Sequence, residues 1–172
     1  MIKTGKKGFT LIELLMVVAT IALFASVMLA NMNISRKKAR DAKRISDMYQ
    51  IQKALNIYLD KYETFPNGAN DFDGWDIGCG SGDSFIAPLK PEHFTQVPAD
   101  PNGCSHTAYA GYMYHHYAAG ENGCPAERGE YYVIGFFDAE FSERPHPQSP
   151  GFACSGKDWK EGFDWVAGGY EN

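Results

Sequence analysis

MIKTGKKGFTLIELLMVVATIALFASVMLANM, residues 1–32, is the stretch from which the fold is read. Its first eight residues carry Lys3, Lys6 and Lys7 and end at Gly8. Phe9, Thr10, Leu11 and Ile12 follow, then a single acid, Glu13, and from 14 to 34 no residue is charged. The segment 14–32 makes about 28 Å of helix at ~1.5 Å per residue, close to the ~30 Å hydrocarbon core of a bilayer. A secretory signal peptide puts its cut after the apolar core, among small residues. Here the glycine stands before the core, so processing at that point leaves the apolar segment on the mature chain.

Working outward, 9–63 contains neither proline nor glycine, so nothing interrupts a helix of about 55 residues. Beyond the apolar part the pattern turns amphipathic. Ile45, Met48, Ile51 or Gln52, Leu55, Tyr58 or Leu59, and Tyr62 recur at spacings of three and four. Lys43, Asp47, Gln50, Lys53 and Lys61 mark the opposite, solvent-facing side. Phe65, Pro66, Asn67 and Gly68 stop the helix. Residues 67–106 read as turns and loops, with one short helix over 85–89 and 91–94. Two aromatic strands are expected at 108–117 and 130–137, forming an antiparallel pair, with a weaker third at 164–167 and an exposed loop at 142–150.

Charge is unevenly spread beneath a net value of −5. Residues 36–47 hold six bases against two acids, whereas beyond 63 five bases face sixteen acids. The chain is therefore an apolar stalk, a basic collar and an acidic head. Lys and Arg counts beside the span favour a cytoplasmic collar. The cysteines argue the reverse. Cys79, Cys104, Cys124 and Cys154 match no metal or redox spacing, and an even number in a loop-rich region suggests two disulfides and an oxidising compartment. Three connectivities are open; Cys79–Cys104 with Cys124–Cys154 is favoured because each bond closes a contiguous loop-rich segment.

The junction at Lys6 to Met16 resembles the class III signal of type IV prepilins and type II secretion pseudopilins. ALNIYLDKYETFPN (54–67) and PADP (98–101) are similar to segments of major pseudopilins. The resemblance implies an α+β pilin fold: a long N-terminal helix, its first half membrane-spanning, packed on a small antiparallel sheet. It implies cleavage between Gly8 and Phe9 by a prepilin peptidase, which also methylates Phe9. It implies that Glu13 pairs with the freed amine of a neighbouring subunit during assembly. An assembly ATPase and a platform membrane protein are the other implied partners. Three departures stand out. Leu29 to Met32 replaces the proline of many pilins, Asn102 replaces the tryptophan after the Asp-Pro of pseudopilins, and their acidic calcium-binding tail is missing.

Other candidates have plainer readings. Ala22, Ser26 and Ala30 form a small-residue stripe that permits close helix approach but is common in membrane composition. The collar is first a solvated helix face, although anionic lipid, the acidic heads of neighbours and DNA phosphates all fit its charge. His93, His106, His115, His116 and His146 have no metal spacing, and His115 and His116 point to opposite strand faces. Asp71, Asp73 and Asp76 offer oxygen ligands for calcium, yet lack an EF-hand pattern, so turn chemistry is favoured. No nucleophile motif, phosphate loop or paired-carboxylate motif points to an enzyme.

The organisation is thus a leader at 1–8, a transmembrane and polymerisation helix at 9–34, an amphipathic helix at 35–66 and an extracytoplasmic head at 67–172. The expected role is a structural subunit of a type IV pilus or pseudopilus: single-pass in the cytoplasmic membrane as precursor, N-terminus inside, then a surface fibre. The alternative is a membrane-anchored extracellular binding domain that never polymerises.

Overall fold

The computed structural model describes residues 8–69, 71–79, 85–103, 111–137, 139–142 and 144–172, and Ala30 without its side chain. The chain divides into two units, Met1–Lys37 and Lys38–Asn172. Helix α1, Leu11–Tyr62, supplies the ordered structure of the first and the opening element of the second. In the first unit its large apolar side chains are 46% to 79% exposed, so this stretch buries little of its own. It is long and apolar enough to cross a membrane.

The second unit is an α+β head in three layers. A four-stranded antiparallel sheet has the order β1 (Asp76–Gly78), β2 (Tyr112–Tyr117), β3 (Tyr131–Phe136), β6 (Trp165–Tyr170). In register, Tyr114 pairs with Ile134, and Ile134 with Ala167. The helix covers one face. Ile45, Met48, Ile51 and Leu55 meet Tyr112, Tyr114, Ile134 and Trp165 in the main core. The other face is covered by the C-terminal segment that includes a small hairpin, β4 (Ala153–Cys154) with β5 (Lys157–Asp158). There Trp159 and Phe163 pack with Trp75, Met113, Val133 and Val166 in a second apolar cluster. All six residues of β3 are buried, as expected of a strand covered on both faces.

The helix ends as its sequence requires. Glu63 takes a left-handed conformation (φ 58°) while its N–H still donates to Leu59 O, and Pro66 follows. Several expectations need correction. Asp47, read as outward-facing, is buried because its carboxylate accepts from the Tyr112 hydroxyl at 2.8 Å. Tyr62, read as inward-facing, is half exposed at the fraying end of the helix, its hydroxyl on Glu92. The short helix over 85–94 shrinks to one 3₁₀ turn, Ala87–Leu89, since Pro88 and Pro91 remove backbone donors. Asp76–Gly78, read as loop, is a strand. The weak third strand is a full one, extended to Tyr170 by pairing along all of β3. Segment 142–150 is half-tied rather than free: Gln148 O accepts the Trp165 indole N–H at 3.0 Å, and Asp164 O accepts His146 N–H. Residues 104–110, which include Cys104, His106 and the start of the expected strand at 108, lie outside the described residues.

Candidate functional site

At the N-terminal junction the local sequence builds a defined cap. Thr10 N–H and Thr10 Oγ1–H both donate to Glu13 Oε2 at 2.8 Å, and Glu13 N–H returns to Thr10 Oγ1 at 3.3 Å. This reciprocal pattern, Ser or Thr three residues before Glu, satisfies donors that a helix start leaves open. The motif T-L-I-E carried that signal in the sequence, and the reading there missed it. Gly8 and Phe9 precede the helix and are exposed, and a Cβ added at Gly8 would meet nothing. Both cap bonds fall on Oε2, and Oε1 accepts none among the described residues. Thr10 thus holds the Glu13 carboxylate through Oε2. Ala22 and Ser26 are exposed on the same apolar helix, and Ser26 Oγ donates back to Leu23 O. The side chain of Ala30 lies outside the description.

The collar is a solvated face, as read, at Arg36, Lys37, Lys38 and Lys43, which are exposed, but not at Arg40 and Arg44. Arg44 is 1% exposed, its guanidinium forked onto Asp100 (Nε to Oδ2 2.6 Å, Nη2 to Oδ1 3.0 Å) and reaching Asp41 Oδ1 at 2.7 Å. Arg40 makes a second fork onto Glu140. Asn102 joins both ends: its N–H donates to Asp100 and its side-chain amide to Glu140 Oε1. Burial opposes the charge on Arg44, but the bonds to Asp100, Asp41 and Glu140 outweigh it and raise its pKa. Arg40 holds the Glu140 carboxyl down at about 2. Asp100 lies in the PADP segment, so that segment fastens the head onto the helix. Among the collar bases, Arg40 and Arg44 are consumed in this way, and Lys43 pairs with Asp47 at 2.7 Å.

The remaining sequence candidates are structural in the described residues. Cys124 and Cys154 form a disulfide with Cα atoms 4.8 Å apart, tying the turn after β2 to β4. The Cys79–Cys104 expectation falls on Cys104, outside the described residues. Asp71 Oδ2 accepts Ile77 N–H at 3.0 Å and Asp76 Oδ2 accepts Ile86 N–H at 2.8 Å, so both carboxylates serve turns. Asp76 Oδ1 is buried with no hydrogen-bond partner among the described residues, and burial, first, with the neighbouring Asp71 pushes this carboxyl up to about 6. His115 stacks on Tyr117, ring centroids 3.9 Å apart, while His116 lies on the other face beside Glu130 at 3.0 Å. No group of three or more metal-ligating side chains occurs among the described residues.

Comparison with known proteins places these features in context. The chain is 46% identical over 54 residues to the type IV wide pilus major component of Thermus thermophilus, covering 26% of this chain and 41% of that protein. It is 33% identical over 69 residues to the type II secretion system core protein G of Aeromonas hydrophila, covering 38% of this chain and 48% of that one. Against the type IV major fimbrial protein of Dichelobacter nodosus it is 29% identical over 161 residues, 85% of this chain and 93% of the relative. The chain spans less than half the length of the first two. No protein-family model and no solved structure matches it.

Proposed function

Because the chain belongs to the type IV pilin and pseudopilin family, we propose that it is a structural subunit stored in the membrane and polymerised into a surface fibre through its N-terminal helix. The relatives are named as components of a pilus, a fimbria and a secretion system, not as enzymes. A prepilin peptidase cuts between Gly8 and Phe9 and methylates Phe9. An assembly ATPase and a platform membrane protein then extract the subunit, with the N-terminus inside before assembly and the head outside.

The observation that carries this reading is the exposed apolar helix with one carboxylate near its start. The large apolar side chains from Leu11 to Ile34 are 46% to 79% exposed, so lipid or the same helix of other copies must surround them. Exchange of lipid for helix changes apolar contact little, so directional assembly needs specific bonds and external work. A carboxylate deep in an apolar layer is costly by ~2.5–3.5 kcal/mol on insertion scales and is recovered by pairing. In this reading Glu13 Oε1 accepts an N–H from the amine that cleavage creates at Phe9 of a neighbour. Shearing cells and weighing the recovered fibres tests this. Glu13→Ala should leave membrane insertion intact and reduce fibre yield sharply. Normal fibres in that variant would remove Glu13 from assembly, and absence of fibres from the wild type would favour an anchored, non-polymerising head.

A further inference from the structure

Within the head, α1, Phe141, Ser142 and the residues His146 to Gln148 line a cleft of about 490 Å³ with an apolar floor that includes Ala42, Ile45 and Pro147. Five polar residues line it, Lys38, Asp41, Ser142, His146 and Gln148, and Lys38 and His146 offer it donors. The Lys38 ammonium lies 4.3 Å from the centroid of the Phe141 ring and makes no hydrogen bond among the described residues. Ser142 Oγ is buried and unpartnered. His146 Nδ1 accepts Gln148 N–H at 3.1 Å, which puts the proton of a neutral imidazole on Nε2. The Lys38 ammonium and the His146 Nε2–H are donors unanswered among the described residues, and they fit a group that accepts. Asp41, also on the wall, does not supply it: its oxygens are already taken by Arg44 and by the N–H groups of Glu140 and Phe141.

We propose that this cleft holds the phosphate of an anionic phospholipid headgroup while the subunit is stored in the membrane. Lys38 follows Ser35, the last uncharged residue before the collar, by three positions, about 4.5 Å of helix. The headgroup layer on one side of a bilayer is about 5–8 Å deep, so Lys38 falls within it. Phe141, 52% exposed despite its apolar ring, adds apolar surface that can enter the headgroup and acyl boundary. Arg36 and Lys37 next to it attract an anionic surface without belonging to the cleft.

The inference rests on the membrane-storage stage of the proposed function and is independent of polymerisation. Native mass spectrometry of the full chain in detergent, titrated with phosphatidylglycerol, phosphatidylcholine or inorganic phosphate, tests it. The wild type should retain phosphatidylglycerol over phosphatidylcholine. Lys38→Gln with His146→Gln should lower that retention at least about fivefold, the effect expected of one cation at an anionic surface, while Lys38→Arg and Lys37→Gln should not. Equal loss in Lys37→Gln would reduce the site to diffuse collar charge. Displacement of the lipid by equimolar inorganic phosphate would make it a soluble-anion site, and no lipid preference in the wild type would remove it. Fibre yield from the same variants reports separately on polymerisation, so either reading can fail alone.

Discussion

At the scale of single residues, the head shows how far a local charge reading can go. Arg36 to Lys43 is visibly basic in the sequence, but nothing local says that Arg44 is buried. Its partner Asp100 lies 56 positions away, and only the fold brings the two together. Once buried, the fork is consequential, because stripping one partner from such a pair leaves an unpaired charge at a cost of about 3–5 kcal/mol. Asn102, a departure from the resembling pseudopilins, has its own use there as the donor that spans Asp100 and Glu140. Asp76 has the opposite electrostatic sign. Its folded pKa of about 6 lies above the ordinary value near 3.8, so the folded state binds the proton more tightly. The stability it contributes is full below about pH 4 and is lost as pH rises through about 6. Glu140, held down at about 2, acts the other way, its contribution being lost only as pH falls below about 4. Asp76→Asn keeps an acceptor for Ile86 N–H and removes the charge. Relative to the wild type it should therefore gain about 2 kcal/mol between pH 4 and pH 7 in urea unfolding of the full chain in detergent. A gap that does not change with pH would contradict the shifted carboxyl.

At the scale of elements, the helix was legible because nothing in 9–63 breaks it, and strands β2 and β3 because their aromatic runs are long. Strand β1 was not. It is three residues among turn formers, and it exists by pairing Asp76 with Tyr114 and Gly78 with Tyr112. The second apolar layer was legible in principle. Tyr131–Phe136 is apolar without alternation, the mark of a strand buried on both sides, and Trp159, Phe163 and Trp165 were the side chains to cover it. The inward and outward reading of the helix failed at Asp47, since a buried tyrosine hydroxyl can hold a carboxylate that periodicity assigns to water. The covering layer also depends on a crosslink. Cys124–Cys154 closes a 30-residue separation that carries β3 and the 142–150 segment. In the chain-entropy account such a bond stabilises by about 3–4 kcal/mol. Replacing both cysteines with alanine should lower the head's unfolding free energy by that order and expose Trp159 to quencher before the main core opens. An unchanged denaturation midpoint would show that packing of Trp159 and Phe163 holds the layer without the bond.

At the scale of the molecule, the two units pose different problems. The head satisfies its own apolar surface, with a core on each side of one sheet. The N-terminal unit satisfies little of its own, and its single acid is held by Thr10 through Oε2. That contrast follows if the helix is made for surroundings supplied by lipid and by other copies. The proposed role turns on where the mature chain begins, because cleavage before the apolar segment would both keep the helix and create the amine proposed to meet Glu13. Mass spectrometry of the N-terminal peptide from sheared surface fibres measures this directly. The account predicts a chain starting at N-methylated Phe9, with the first eight of the 172 residues gone. Fibre protein that starts at Met1, or that has been cut after Ala30 and lacks the apolar helix, would contradict it.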